Sequence, residues 1–284
     1  MIEDSKATVI SIEMIRFPKA KINIGLNVVS KREDGYHNIE SIFYPIPLCD
    51  VLELIPTEKK GELSLQTVGI ELPNDGVENL CSKAYRILKN DFELPSIDAA
   101  LLKNIPSGAG LGGGSSDGAE MLKMLNEIAT LNLSDKKLTE YAVMLGSDCP
   151  FFIQDKTAFV HGRGENMKEI IVDLEGLYFV IINPGIHVPT SVAYSKIKVK
   201  KPEFDLREIG KLQITDWKNK IRNDFEDSIF STHSSISEIK SELYTSGALY
   251  ASMTGSGSSV YGLFENELDL REKFNKYFVF QSWL

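Results

Sequence analysis

Six of the eleven residues from Gly108 to Gly118 are glycine, within the stretch NIPSGAGLGGGSSDGAEM at Asn104 to Met121. A backbone this bare suits one kind of chemistry. Without Cβ atoms, Gly110, Gly112, Gly113 and Gly114 can adopt positive φ, approach a ligand closely and turn successive N–H groups toward one anion. Met121, Leu122, Leu125, Ile128 and Ala129 then recur at helical spacing, so a helix is predicted to start here and to aim its positive N-terminal end at the same point. Ser115 and Ser116 add hydroxyl donors. The expected chemistry is the holding of a phosphate. Asp117 works against it, because a carboxylate at a helix start repels phosphate; with Glu120 three residues on, it could instead cap the helix or stand near a bound cation.

Two rival motifs overlap the same glycines. GAGLGG, Gly108 to Gly113, satisfies the dinucleotide pattern GxGxxG, but that motif needs a strand, a helix and a second strand, and here the helix runs into another helix. GSSDG, Gly114 to Gly118, satisfies GxSxG with Ser116 as nucleophile and His161, His187 or His233 as base. That elbow needs a strand feeding the serine, and GAGLGGG is a poor strand sequence. The Walker pattern GxxxxGK[ST] is absent, since no lysine follows the glycines.

The elements that must position such a loop can be read on either side of it. Ile22, Ile24, Leu26 and Val28 alternate with Lys21, Asn23, Gly25 and Asn27, which predicts a half-buried strand with Lys21 and Asn23 on one face. REDGYH supplies a turn, and NIESIFYPI, VLELI and AALLKN read as further strands. After the glycines a second helix carries Leu138, Tyr141, Ala142 and Leu145 on one face, with Ser134 as N-cap and Gly146 as stop. TAFVHG and LYFVIINPG read as strands. Polar helical segments follow, then strands at ALYASM and SVYGLF, a helix near ELDLREKFNK and a final strand YFVFQSWL. The predicted class is α+β in two domains, residues 1–162 and 163–284, the second in ferredoxin-like order. No internal repeat or long linker is evident.

The bulk numbers exclude several classes. With 284 residues, 43% hydrophobic and 25% charged, the chain reads as globular. Its formal net charge is −9, and KIKVKK at Lys196 to Lys201 is the single short basic run, so no nucleic-acid footprint is expected. No apolar run reaches the roughly 18 residues of a membrane span, and the acidic opening MIEDSKATVISIEMIRFPK argues against a signal peptide. Cys49, Cys81 and Cys149 form no CxxC pair, which suits neither disulfides nor zinc and fits a reducing cytoplasm.

PSGAGLGGGSSD resembles the glycine-rich motif of the galactokinase, homoserine kinase, mevalonate kinase and phosphomevalonate kinase (GHMP) superfamily. MTGSGSSVYGLF, Met253 to Phe264, is similar to its C-terminal glycine motif, which in the superfamily packs against the phosphate loop. FPKAKINIGLNVVSKREDGYHNIESIF, GSDCPFF, NPGIHVPTSVAY and RNDFE resemble, in order, segments of those members that phosphorylate a cytidine-diphosphate-linked methylerythritol. The likeness runs from about Ile15 to the final strand. It implies an N-terminal domain like ribosomal protein S5 that holds the phosphate loop, and a C-terminal substrate domain. It also implies ATP as co-substrate, Mg²⁺ as its carrier, and phosphorylation of the acceptor's 2-hydroxyl in the non-mevalonate isoprenoid pathway.

Position by position, the resemblance puts the catalytic pair on Lys21 and Asp148. The nucleotide loop falls on Pro106, Ser107, Gly108, Ala109, Gly110, Leu111, Gly112, Gly113, Gly114, Ser115 and Ser116. The cytidine pocket falls on Tyr36, His37 and Tyr194, with Asn23 beside the acceptor hydroxyl and Thr190 near the diphosphate. Metal ligands are left unassigned. Phosphoryl transfer passes through a loose transition state, so these residues need mainly to position groups and stabilise charge. On that reading Lys21 pairs with the acceptor oxygen and γ-phosphate, and Asp148 is either the base or an orienting partner of Lys21. Tyr36 and Tyr194 would stack on the cytosine faces while His37 reads its edge.

Overall fold

The computed structural model describes residues 13–72 and 76–284. Three four-stranded sheets carry the architecture. The first has the order β1 (Met14–Arg16), β4 (Val51–Lys60), β6 (Pro95–Lys103), β5 (Leu63–Gly69); β5 and β6 run parallel and the other pairs antiparallel. The second is fully antiparallel: β2 (Lys19–Lys31), β3 (His37–Cys49), β7 (Ala158–Gly162), β8 (Asn166–Glu169). Helices α1 (Leu80–Asp91), α2 (Gly113–Ile128), α3 (Asp135–Leu145) and α4 (Cys149–Gln154) bury their apolar faces with residues of β4, β6 and β7 in one core. Ser134 caps α3 as predicted, its side chain accepting from the Lys137 amide. Asn79 does the same for α1, a helix the sequence reading did not pick out.

The third sheet has the order β10 (Tyr250–Met253), β11 (Val260–Phe264), β9 (Tyr178–Asn183), β12 (Phe278–Trp283), all antiparallel, with the first and third strands in the middle as in a ferredoxin-like sheet. Short helices α5 (Thr190–Ser195) and α6 (Ile214–Lys220) precede α7 (Glu226–Thr232) and α8 (Ser234–Thr245), which lie on its inner residues. The helix expected near ELDLREKFNK is absent. Residues 271–276 form turns: Asp269 Oδ1 accepts from the Arg271 amide at 2.9 Å, one helical bond follows from the Phe274 amide to Leu270 O at 3.0 Å, and the Tyr277 amide then turns back to Phe274 O at 2.9 Å, just before β12. Leu270 and Phe274 still bury their side chains, so the apolar spacing survives without the helix.

One expectation about β2 is corrected in a way that matters for function. The alternating pattern predicts a half-buried strand, yet Lys21 (3% exposed) and Asn23 (2%) are nearly as buried as their neighbours Ile22 and Ile24. The polar face does not meet bulk water. It lies beneath the two glycine loops, and the apolar face packs with Phe179, Ile181 and Tyr261 of the third sheet.

Candidate active site

Lys21 is held by four neighbours. Its backbone N–H donates to Leu111 O at 2.9 Å, fastening β2 to the glycine-rich loop. Its ammonium donates to Asn23 Oδ1 at 2.6 Å and to Gly110 O at 3.2 Å, and Nζ lies 3.6 Å from Asp148 Oδ2. Burial lowers the Lys21 pKa from its usual value, and Asp148 partly opposes that shift. Asp148 comes from elsewhere in the chain, at the residue before α4, where its side chain caps nothing and stays 30% exposed. A carboxylate that leaves its own helix uncapped is free to face Lys21.

The glycine-rich loop meets the second glycine motif directly. Gly110 has φ +79°, and a Cβ there would lie 2.1 Å from Thr254 O; one on Gly255 would lie 2.9 Å from the Gly110 Cα. Thr254 donates its hydroxyl to Gly110 O at 3.0 Å and accepts from the Asn23 amide at 3.0 Å. Tyr261 adds a bond to Asn23 O at 3.0 Å. Asn23 is thus fixed at both backbone groups, and its side chain donates to Ser41 Oγ at 2.9 Å while accepting from Lys21.

Gly108, Gly110, Gly112 and Ser115 line a cleft of about 950 Å³ that Lys21, Asn23 and Asp148 also line. Of the other predicted loop residues, Pro106, Ala109, Leu111, Gly113 and Ser116 are buried, and Ser107 and Gly114 are exposed. Ser116 sits within α2 at 3% exposure, preceded by a loop rather than a strand, which removes the geometric basis for a serine nucleophile.

The same cleft reaches Tyr36, His37, Thr190 and Tyr194. The His37 and Tyr194 rings stack with centroids 5.0 Å apart and 19° between planes, and Tyr194 is backed edge-on by Phe225 at 4.8 Å. Tyr36, 53% exposed, carries the Arg163 guanidinium 3.7 Å over its ring. Tyr194 thus stacks on His37, while Tyr36 pairs with Arg163 at the same cleft. Burial and the Lys31 charge lower the His37 pKa from its ordinary value. Thr190 and Ser256 hydroxyls lie 3.3 Å apart where α5 meets the second glycine loop.

Two site residues escaped the sequence reading: Thr254 was visible only as part of a glycine motif, and Arg163 carried no spacing signal. His187, weighed there only as a base for Ser116, lies instead beside the loop, where a Cβ on Gly108 would come 3.0 Å from its Nδ1. Asp117 neither caps α2 nor faces the cleft. It is 2% exposed, with Oδ2 2.5 Å from Lys103 Nζ, and Lys103 also pairs with buried Asp50. Asp50 Oδ1 accepts from the Asn104 and Ile105 amides at 2.6 and 2.8 Å, so this triad joins the entry of the loop to the first turn of α2. Burial pushes the Asp117 carboxyl up to about 7 against the pull of Lys103, and its Oδ1 has no partner.

Fold and site together define a GHMP kinase. The family model described as the GHMP kinases N terminal domain matches residues 79–163, and the GHMP kinases C terminal model matches residues 201–279. Within that class the chain belongs to the 4-diphosphocytidyl-2-C-methyl-D-erythritol kinase family. It is 49% identical to the curated enzyme of that name from Bacteroides fragilis over 95% of this chain and 100% of the relative. It is 50% identical to that of Bacteroides thetaiotaomicron, over 91% and 95%. A crystal structure of 4-(cytidine 5'-diphospho)-2C-methyl-D-erythritol kinase superposes with a TM-score of 0.75 at 31% identity, covering 88% of this chain and 90% of that one. A homoserine kinase from Cytophaga hutchinsonii, 18% identical with a TM-score of 0.63 and coverage of 93% and 94%, shares the fold.

Proposed function

We propose that this protein transfers the γ-phosphoryl group of ATP to the 2-hydroxyl of 4-diphosphocytidyl-2-C-methyl-D-erythritol. The observation that carries the reading is the meeting of Lys21 Nζ and Asp148 Oδ2 at 3.6 Å in a cleft that also opens onto Gly110 and Gly112 at one side and His37 and Tyr194 at the other. Donor and acceptor subsites converge on a single buried ammonium. The loop amides and the start of α2 hold the nucleotide's phosphates. Lys21 stabilises charge on the transferring group, and Asp148 accepts the hydroxyl proton or orients Lys21. His37 and Tyr194 sort cytidine from uridine by ring edge and stacking.

Mg²⁺ is expected as the nucleotide's counter-ion, neutralising phosphate charge. No cluster of three or more His, Cys, Asp or Glu suited to a metal occurs among the described residues, and Ser115 and Asp148 are among the side-chain oxygens lining the cleft, with Asn23, Ser147 and Ser256. That sparse donor set fits an ion held chiefly by phosphate oxygens and water, with Ser115 and Asp148 as its protein contacts. We assign residues 1–162 to a nucleotide half and 163–284 to an acceptor half, in support of which the N-terminal family match stops at residue 163. A cytoplasmic location agrees with the free cysteines, and no helix among the described residues is long and apolar enough to cross a membrane.

ATP consumption measured side by side with 4-diphosphocytidyl-methylerythritol, homoserine and mevalonate tests the reading. Turnover is expected on the first alone, and loss of rate when cytidine is replaced by uridine. No turnover on the first acceptor would overturn the assignment.

A further inference from the structure

The segment Arg222 to Glu226 lies outside the chemistry described so far, yet its side chains reach toward both subsites from behind. Asn223 is 2% exposed and spends both amide hydrogens on the second glycine loop, donating to Met253 O and Gly255 O at 2.8 Å each; its Oδ1 accepts from the Phe225 amide at 3.0 Å. Glu226 accepts from the Met253 amide at 2.9 Å and is paired with Lys240 at 2.6 Å. The same segment is pinned to β2: the Leu26 amide donates to Arg222 O, the Asp224 amide to Leu26 O, both at 2.8 Å, and Asp224 Oδ2 takes the Val28 amide at 2.7 Å. Phe225, 1% exposed, is the wall behind Tyr194.

We infer that Asn223 and Phe225 are paired positioning residues, Asn223 for the ATP subsite through Gly255 and Gly110, Phe225 for the cytidine subsite through Tyr194. The inference rests on the function proposed above. A carbonyl in the second glycine loop has few ways to be satisfied once buried, and Asn223 satisfies two. Releasing them lets Gly255 move off Gly110, whose contact tolerates no added atom. Phe225 makes no side-chain hydrogen bond to that loop and its ring meets Tyr194 edge-on at 4.8 Å, so trimming it acts first on Tyr194. Two residues apart in the chain, they separate the two ligands.

Calorimetric binding of a non-hydrolysable ATP analogue and, separately, of CDP to the intact protein distinguishes these roles. Asn223→Asp keeps the size and the Phe225 bond but sets an acceptor against two carbonyls. It is expected to weaken the ATP analogue roughly tenfold or more while leaving CDP within about twofold, from the loss of two buried hydrogen bonds. Phe225→Leu is expected to do the reverse, weakening CDP severalfold and sparing the analogue. Equal weakening of both ligands by either variant, or a lowered melting temperature with both affinities unchanged, overturns the inference. Should the carboxylate prevent folding, Asn223→Ser removes the same two bonds more gently and is read the same way. Wild-type binding of the analogue without CDP would instead overturn the proposed acceptor, with the Asn223 arm still decided by the analogue alone.

Discussion

Lys21 is a cation placed where water cannot help it, and its neighbours decide how it behaves. The Asp148 carboxylate raises its pKa against a larger desolvation effect, so Asp148→Asn should move the Lys21 titration further down. A ¹³Cε chemical-shift titration reads this directly; an unchanged or higher midpoint would separate the two residues. The same variant is expected to lose roughly 10² to 10⁴ in turnover number, the range for a general base, and near-normal turnover would leave Asp148 an orienting residue at most. Asp117 gives a prediction of opposite character. Its carboxyl titrates at about 7 in the fold against 3.8 unfolded, so between those values the native state binds more protons and stability falls as pH rises, by up to roughly 1.4 kcal/mol per pH unit. Asp117→Asn should flatten the slope of unfolding free energy between pH 5 and 7, measured by urea titration. The sequence named Lys21 and Asp148 only through resemblance. Nothing in the spacing of residues 127 positions apart states that they will touch, and nothing near Asp117 states that it will share Lys103 with Asp50.

The glycine loop was legible as an element because composition alone dictates what such a backbone can do. Its helix, the strands before it and the alternating pattern of β2 followed from apolar period. What the pattern missed has one cause in each case. The stretch 271–276 keeps helical spacing of Leu270 and Phe274, but after one helical bond between them the Tyr277 amide turns back to Phe274 O and the chain enters β12. β2 reads as half-exposed because its polar residues mark a face covered by loops, and local sequence cannot separate a face turned to water from one turned to a site. The loop's own requirement is sharp. Gly110→Ala would put a methyl group 2.1 Å from Thr254 O on a backbone with φ +79°, and should weaken ATP binding at least about tenfold as loop and second motif part, a small share of the strain involved. Gly114, with open space around its Cβ position, should tolerate alanine within about twofold. Equal losses in the two variants, measured as KM for ATP, would mean the loop acts as a flexible whole.

At the scale of the molecule, the halves share a core. Ile22, Ile24 and Ile42 of the second sheet are buried in one cluster with Phe179, Ile181 and Tyr261 of the third, and Arg222, Asp224, Thr254 and Tyr261 bond across to β2. Calorimetry should accordingly show one cooperative unfolding transition, shifted upward by an ATP analogue and CDP together; two well-separated transitions would show that the interface contributes little. The sequence by itself determined the class of chemistry, since glycines at fixed spacing can serve few ligands, and it determined most strands and helices, since apolar period reports which face is buried. Only the tertiary structure decided that Lys21 lies buried against Asp148, that Thr254 and Gly255 complete the loop of Gly110, and that His37 stacks on Tyr194. Those contacts join residues about a hundred or more positions apart, and no local pattern encodes them, because their energies depend on packing between sheets that the chain brings together only once folded.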